Sequence, residues 1–206
     1  MTTNYRSNIT PTWCPGCQNY LVYAALQKNF ADLKVDLNNL VMNYDIGCAG
    51  NMADFFKTYG FHTLHGRSIA TAMGEKIVNP KLTVCVIGGD GGIYGEGLNH
   101  LVAAARANIN IKVFVSNNFL YSLTTGQTSP TTPKGAHTKS TPTGNINEPI
   151  HPVELLKTIN KEIFVESVDV KDIPKLNDTV KRALEFPGFA LVDILQECVA
   201  FGKQLK

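Results

Sequence analysis

Residues 82–95, LTVCVIGGDGGIYG, decide the fold class. Their first half is apolar and rich in β-branched residues, which predicts a buried strand, and GGDGG at 88–92 predicts a turn at its carboxyl end. Residues 95–108, GEGLNHLVAAARAN, follow with apolar residues at helical spacing. A buried strand, a glycine-rich turn and a helix in this order are typical of a parallel βαβ unit.

Strand-like and helical segments alternate on both sides of this stretch. Further strands are predicted at 39–46, 111–118, 163–169 and 190–196, and further helices at 18–30, 68–79, 151–160 and 173–186. The alternation predicts an α/β fold: a doubly wound, mostly parallel sheet with helices on both faces, in a single domain over 1–206. Residues 118–150 interrupt it with a long loop rich in Thr, Ser, Gly and Pro, and such loops are usually functional or disordered.

The composition is that of a globular protein. Of 206 residues, 44% are hydrophobic and 17% charged, so a disordered chain is not expected. Lys and Arg (19) nearly balance Asp and Glu (17), which argues against nucleic-acid binding. No run of 18 apolar residues predicts a membrane span, and residues 1–13 lack the apolar core of a secretory signal. We therefore expect a soluble, cytoplasmic protein.

Chemically active residues follow four of the predicted strands. Cys48 follows the first, Asp90 follows the strand at 82–88, and Cys198 follows the last. Asn117 and Asn118 end the strand at 111–118. Ligands of open α/β sheets bind outside the carboxyl ends of the strands, so we expect these residues to share one site.

The glycine-rich turn at 88–92 is suited to a phosphate group. Glycines let backbone N–H groups approach closely, and the start of the following helix attracts negative charge. A carboxylate beside a phosphate needs a cation between them, so Asp90 is a candidate Mg²⁺ ligand, with Asn118 as a second oxygen donor. The alternative is a structural glycine turn with Asp90 as a helix cap. The Asn117–Asn118 pair favours the diphosphate site.

Five cysteines, an odd number, argue against a disulfide framework. Cys14 and Cys17, in WCPGC at 13–17, suggest either a thioredoxin-type redox pair or two ligands of a metal centre completed by Cys48 and Cys198. No strand is predicted before this segment, which argues against the redox pair. Four thiolates suit structural Zn²⁺ or an iron–sulfur cluster, and their scatter along the chain favours the cluster. The remaining cysteine lies within the strand at 82–88 and is interpreted as a core residue.

Two sets of motifs carry a family resemblance. The Gly89-Asp90-Gly91 turn, followed by Asn117-Asn118, resembles the thiamine diphosphate and metal motif of thiamine-dependent enzymes. The whole set of motifs resembles the beta subunit of the 2-oxoacid:ferredoxin oxidoreductases. Its further elements are WCPGC at 13–17, DIGC at 45–48, HGR at 65–67, NH at 99–100, YSLTTGQ at 121–127 and SPTTP at 129–133.

The resemblance implies three cofactors: thiamine diphosphate, Mg²⁺ and a [4Fe–4S] cluster. Mg²⁺ would be held by Asp90, the side chain of Asn118 and the backbone carbonyl of Leu120. The implied cluster ligands are Cys14, Cys17, Cys48 and Cys198. The implied contacts with thiamine diphosphate are Ile46, Gly47, Cys48, Ala49, His65, Gly91, Gly92, Asn118, Leu120, Ser122 and Leu123.

The resemblance also points to residues near the reacting centre. His65 is the implied catalytic residue, as a hydrogen-bond donor or in proton transfer. Arg67 and Asn51 are weaker candidates for substrate contact, and Asn51 stands where some relatives have a Lys. Gly92 stands where many relatives have a second Asp, which leaves fewer carboxylates for the metal. The chain stops eight residues after Cys198, where family members often continue.

The implied activity is coenzyme A-dependent oxidative decarboxylation of a 2-oxoacid, for example pyruvate or 2-oxoglutarate, with electrons passed to ferredoxin. Thiamine enzymes also need a second domain for the aminopyrimidine ring, and no second block of that size fits in 206 residues. We therefore expect a hetero-oligomer with an alpha subunit that carries the pyrimidine-binding domain, with gamma and ferredoxin-like subunits as further partners. Two alternatives stay open: a subunit of a non-oxidative thiamine-dependent 2-oxoacid decarboxylase, and a non-catalytic metal or electron-relay subunit.

Overall fold

A six-stranded parallel sheet forms the centre of the protein, which a computed structural model describes over residues 4–205. Its strands are β1 (Leu40–Tyr44), β2 (Tyr59–His62), β3 (Thr83–Gly89), β4 (Lys112–Asn117), β7 (Phe164–Asp169) and β8 (Ala190–Leu195). The order across the sheet is β2-β1-β3-β4-β8-β7, and every neighbouring pair is parallel. The predicted doubly wound parallel sheet is therefore confirmed.

Five α-helices cover both faces of this sheet: α1 (Asn19–Asp32), α2 (Ser68–Val78), α3 (Leu98–Arg106), α4 (Pro152–Ile159) and α5 (Ile173–Glu185). Alternate residues of β3 divide between two apolar cores. Val84 and Val86 pack with α2, α3 and α4, whereas Cys85 and Ile87 pack with α1 and α5. Cys85 is buried, as predicted for a core residue. Within residues 4–205, no helix is long and apolar enough to cross a membrane.

Two elements differ from the sequence prediction. Strand β2 was not predicted, and the segment that carries His65 follows this strand. All four residues of β2 are exposed at the edge of the sheet. Tyr59 and Phe61 alternate with Gly60 and His62, but a run of four residues is too short to indicate a strand. The helix predicted from residue 95 begins earlier, as a π-helical turn over Gly91–Glu96, and continues as α3.

The long loop at 118–150 packs closely against the carboxyl ends of the strands. It contains a short antiparallel hairpin, β5 (Leu120–Tyr121) and β6 (Gln127–Thr128). Thr131, Thr132 and Asn145 are buried, and the Asn145 amide donates a 2.9 Å hydrogen bond to the Thr132 carbonyl. The loop therefore forms part of the wall around the carboxyl edge of the sheet.

Candidate functional site

A cleft opens at the carboxyl edge of the sheet. The segments that follow β1, β3, β4 and β8 line it, together with the start of the long loop. All eleven residues that the sequence analysis assigned to thiamine diphosphate lie in its wall: Ile46, Gly47, Cys48, Ala49, His65, Gly91, Gly92, Asn118, Leu120, Ser122 and Leu123. The structure thus brings these residues together, while their contact with a cofactor stays a prediction.

Asp90 lies directly after β3 and lines the cleft, although only 1% of its surface is exposed. Burial raises the pKa of its carboxyl group to about 6, and hydrogen bonds from Ser129 and Thr131 partly oppose this shift. Thr131 donates across 2.8 Å to Asp90 Oδ2. A buried carboxylate is costly without a compensating cation. Asp90 therefore has the chemistry expected of a magnesium ligand.

Gly91 and Gly92, at the start of the π-helical turn, have no room for a side chain. A Cβ atom on Gly91 would lie 2.3 Å from the Tyr121 ring, and one on Gly92 would lie 2.2 Å from Asp45 Oδ1. The carboxylate beside Gly92 is therefore that of Asp45, which follows β1. This contact leaves no room for a larger side chain at residue 92.

The buried Asp45 side chain holds together two segments that line the cleft. Its Oδ1 accepts hydrogen bonds from the Ile46 and Gly66 amides, at 2.9 and 3.1 Å. Its Oδ2 accepts one from the Ser68 hydroxyl at 2.8 Å. Since all these donors converge on one carboxylate, Asp45 fixes the start of the 46–49 segment relative to the segment that contains His65.

Only the second member of the Asn117–Asn118 pair lines the cleft. Asn118 Oδ1 accepts hydrogen bonds from the Leu120 amide at 3.2 Å and the Ser122 hydroxyl at 2.8 Å. Asn117 is buried, and its amide nitrogen donates to Asp193 Oδ1 at 3.1 Å. The two asparagines therefore have different surroundings, and only Asn118 borders the cleft.

His65 lies in the wall of the cleft, next to two carboxylates. Its Nδ1 atom is 3.1 Å from Glu96 Oε2 and 3.8 Å from Asp45 Oδ1. Arg67 and Asn51 are not among the described residues that line the cleft. The Arg67 guanidinium donates to the Glu96 backbone carbonyl at 3.1 Å, and Asn51 lies in a 3₁₀ turn, Gly50–Asp54. A substrate contact for these two residues stays a prediction.

The four predicted cluster cysteines come together although they are distant in the sequence. The pKa of Cys48 is raised to about 11. Burial is the largest cause, and the neighbouring thiols of Cys17, Cys198 and Cys14 raise it further. Burial is also the main reason for the raised pKa of Cys17. All five cysteines of the chain are free thiols. An iron centre would remove the cost of four adjacent thiolates, because metal-bound thiols are deprotonated.

The thiol cluster is not arranged for a single metal ion. Over residues 4–205, no three His, Cys, Asp or Glu side chains form a group that could hold one. The thioredoxin-type alternative also lacks its context, because no strand precedes Cys14 in the part of the chain that the structure describes.

Comparison with known proteins agrees with this geometry. Residues 45–194 match the family model of the thiamine pyrophosphate enzyme C-terminal TPP-binding domain. A 2-oxoacid:ferredoxin oxidoreductase subunit beta from a Sulfolobus species is 42% identical over 192 residues, which cover 92% of this chain and 63% of the relative. A similar solved structure is a 2-oxoglutarate:ferredoxin oxidoreductase from Magnetococcus marinus with 2-oxoglutarate, coenzyme A and succinyl-CoA bound. The match has a TM-score of 0.92 and 34% sequence identity, and it covers 96% of this chain and 67% of that one. The chain belongs to the beta-subunit family of the 2-oxoacid:ferredoxin oxidoreductases.

The family resemblance stated from the motifs is thereby confirmed. A second beta subunit of these oxidoreductases, from Aeropyrum pernix, is 39% identical over 97% of this chain and 62% of its own length. The present chain therefore spans less than two thirds of the length of these two curated beta subunits.

Six residues of this beta-subunit site were missing from the residues assigned in the sequence analysis: Asn19, Gly89, Ser116, Tyr121, Thr124 and Gln196. Gln196 directly follows β8, so the position of the strand end was sufficient to find it. Tyr121 and Thr124 lie within a matching motif at 121–127, but no role was assigned to them. Asn19 begins α1 and accepts a 3.1 Å hydrogen bond from Gln196, a contact that no sequence pattern indicates.

Proposed function

We propose that the chain is the thiamine diphosphate-binding beta subunit of an enzyme for coenzyme A-dependent oxidative decarboxylation of a 2-oxoacid, with ferredoxin as the electron acceptor. The observation that carries this proposal is the position of Cys48. It lines the cleft with the other predicted cofactor contacts, and its thiol also lies among those of Cys14, Cys17 and Cys198. One segment, 46–49, thus borders both proposed cofactor sites.

Thiamine diphosphate supplies the carbanion chemistry that releases CO₂ from a 2-oxoacid. The family model and the cleft support its binding to this chain. We assign the diphosphate to the backbone of Gly91 and Gly92, since the first amides of a helical turn have no acceptor within the turn. Ile46, Ala49 and Leu123 contribute apolar surface to the same cleft.

We assign Mg²⁺ to Asp90, the side chain of Asn118 and the backbone carbonyl of Leu120. All three residues line the cleft, and their oxygen donors suit a hard cation. Asp90 is the only carboxylate in this set. Its burial supports the assignment, because a bound divalent cation would offset the cost of a buried negative charge.

We assign the [4Fe–4S] cluster to Cys14, Cys17, Cys48 and Cys198. Each sulfur comes from a loop or helix start at the carboxyl edge of the sheet, so the fold can hold all four near the cleft. A cluster beside the cofactor cleft shortens the path for the electrons that the oxidation releases.

We assign His65 a role in hydrogen bonding or proton transfer to the reacting group. Its Nδ1 atom faces the Glu96 carboxylate at 3.1 Å, so Nε2 is the ring nitrogen left for a ligand. A histidine beside two carboxylates at the wall of a cleft is suited to holding or passing a proton.

We propose an alpha subunit with the pyrimidine-binding domain as the main partner, and gamma and ferredoxin-like chains as further partners. The names of the similar proteins support a 2-oxoacid as the substrate class, and the Magnetococcus marinus enzyme was solved with 2-oxoglutarate.

A direct test is to purify the complex without oxygen and to offer it pyruvate, 2-oxoglutarate, and branched-chain and aryl 2-oxoacids. The proposal predicts that one of them reduces a viologen dye or ferredoxin only when coenzyme A is present. Aldehyde formation without dye reduction would instead identify a non-oxidative decarboxylase. Absence of any decarboxylation, with an intact reducible centre, would favour an electron-relay subunit.

A further inference from the structure

A chain of buried polar side chains connects Asp90 to a second buried carboxylate, Asp193 on β8. The Thr131 hydroxyl lies 2.8 Å from Asp90 Oδ2 and 3.0 Å from Asn117 Oδ1. The Asn117 amide nitrogen lies 3.1 Å from Asp193 Oδ1. These four residues are each at most 4% exposed. From this geometry we infer that Thr131 and Asp193 are positioning residues for the metal-binding carboxylate of Asp90, an inference that rests on the proposed function.

Thr131 contacts Asp90 from the long loop and does not itself line the cleft. Two acceptors, Asp90 Oδ2 and Asn117 Oδ1, face the single proton of the Thr131 hydroxyl, and the charged carboxylate is the stronger of the two. Thr131 therefore donates to Asp90, and its oxygen can accept from the Ser129 hydroxyl, which lies 3.3 Å away. The donated bond fixes the rotation of the carboxylate about its side-chain bond. This hydrogen bond gives a function to the SPTTP motif at 129–133, in which no residue is assigned to a cofactor.

Asp193 orients the link between the two carboxylates. A carboxylate only accepts hydrogen bonds, so Asp193 selects the amide nitrogen of Asn117. The amide oxygen of Asn117 then accepts from the Phe119 amide at 3.3 Å and lies 3.0 Å from the Thr131 hydroxyl as a second acceptor for its proton. The same Asp193 oxygen accepts the Tyr94 hydroxyl at 2.8 Å, and its other oxygen lies 3.3 Å from the Ser167 hydroxyl.

Asp193 thereby connects the two elements that carry the proposed metal ligands. Tyr94 belongs to the π-helical turn that directly follows Asp90, and Asn117 directly precedes Asn118. A shift of either element would break a buried hydrogen bond. We therefore expect the network to set the separation of the Asp90 and Asn118 oxygens, which determines the affinity for a cation.

The test replaces Mg²⁺ by Mn²⁺, because the binding of Mn²⁺ can be followed by electron paramagnetic resonance. The sample is the complex purified without oxygen, with thiamine diphosphate present. Thr131→Val keeps the shape of the side chain and removes the hydroxyl. We expect it to weaken Mn²⁺ binding by about 10- to 100-fold, as is typical when residues behind a metal ligand are changed, and to alter the spectrum of the bound ion. Thr131→Ser restores the hydroxyl and should bind Mn²⁺ within about threefold of the wild type.

Thr138→Val is the matched control. Thr138 is buried in the same loop, and its hydroxyl bonds to those of Thr128 and Thr141, at 2.7 and 2.9 Å. This variant loses a comparable hydroxyl, and its Mn²⁺ affinity should not change. If Thr131→Val does not fold, Asp193→Asn replaces it, and the expected result is again weaker Mn²⁺ binding with an altered spectrum.

The outcomes separate this inference from the proposed function. A wild-type complex that binds neither Mn²⁺ nor thiamine diphosphate would overturn both. A wild-type complex that binds both, with unchanged Mn²⁺ affinity and spectrum in folded Thr131→Val or Asp193→Asn, would overturn the positioning role alone. Equal weakening in Thr138→Val would also overturn it, because the effect would then reflect general loss of stability.

Discussion

The indole nitrogen of Trp13 donates a 2.6 Å hydrogen bond to the backbone carbonyl of Cys48. This bond joins the segment that carries Cys14 and Cys17 to the segment that lines the cofactor cleft. Trp13 is only 7% exposed, and its ring packs edge-on against Phe55 with ring centroids 4.9 Å apart. The relative position of three of the four proposed cluster thiols therefore depends on one buried side chain.

Replacing this indole by Trp13→Phe should weaken the retention of iron. The variant keeps an aromatic ring but leaves the Cys48 carbonyl without its donor, at a cost of about 1–3 kcal/mol. We expect the visible absorption of the complex to fade several times faster in air than in the wild type. Tyr23→Phe is the control, since it removes a buried 2.6 Å hydrogen bond to the Phe55 carbonyl and leaves the bond between Trp13 and Cys48 in place. Equal fading in the two variants would refute the link.

Cys198→Ser should remove the cluster and leave the thiamine diphosphate site intact. The expected result is a large loss of iron and sulfide and of viologen reduction, with thiamine diphosphate still bound. Cys85→Ala removes another thiol, but one that lies in the core with 0% exposure. That control should lose some stability from the cavity and keep its iron. Unchanged iron content in Cys198→Ser would eliminate the four-cysteine assignment.

The buried carboxyl group of Asp90 should make the metal-free protein sensitive to pH. Its pKa is raised to about 6, above an ordinary value of about 3.9 in the unfolded chain. The associated stability is present below about pH 4 and is lost as the pH rises to about 6, because the folded state keeps a proton that the unfolded state releases. The loss amounts to up to about 3 kcal/mol, at about 1.36 kcal/mol per pKa unit.

Asp90→Asn has no proton to lose at this position, so its unfolding free energy should lack that pH dependence. In the presence of a chelator at pH 7.5, we expect the variant to unfold at a higher temperature than the wild type. Addition of Mg²⁺ and thiamine diphosphate should raise the unfolding temperature of the wild type only. A lower unfolding temperature for metal-free Asp90→Asn would show that the carboxylate stabilises the fold rather than serving the metal.

Gly92→Ala should be strongly destabilising, because its Cβ would lie 2.2 Å from Asp45 Oδ1. Asp45 accepts three hydrogen bonds and has little freedom to move. Gly89→Ala is a matched control, since the nearest atom to its Cβ is the Ser116 carbonyl oxygen at 3.9 Å, an ordinary contact. Thermal unfolding of both variants measures the difference. A similar, small change in both midpoints would contradict the close packing at residue 92.

The strands that hold the site were predictable from the sequence because their apolar runs are buried on both faces. β3 illustrates this, since Val84 and Ile87 each reach a different core. The rule that ligands bind at the carboxyl ends of parallel strands then placed Asp90, Asn118 and two of the cysteines at one edge. Strand β2 escaped prediction because the alternation of Tyr59 and Phe61 covers only four residues, all of them exposed.

The supporting contacts of the site were not predictable from one sequence. Thr131 reaches Asp90 from a loop that lacks periodicity, and Asp193 reads as an ordinary residue within a buried strand. The closeness of Asp45 to Gly92 depends on how β1 lies beside β3 in the sheet. Such contacts follow from the strand order and the loop path, which local residue patterns do not determine.

The central claim is that one cleft wall serves both thiamine diphosphate and an iron–sulfur cluster. The most direct measurement is the content of iron, acid-labile sulfide and thiamine diphosphate per beta chain in the complex purified without oxygen. We predict about four irons, about four sulfides and about one thiamine diphosphate, the content of one [4Fe–4S] cluster and one cofactor. Thiamine diphosphate without iron would contradict the cluster, and iron without thiamine diphosphate would contradict the assignments of Asp90 and Asn118.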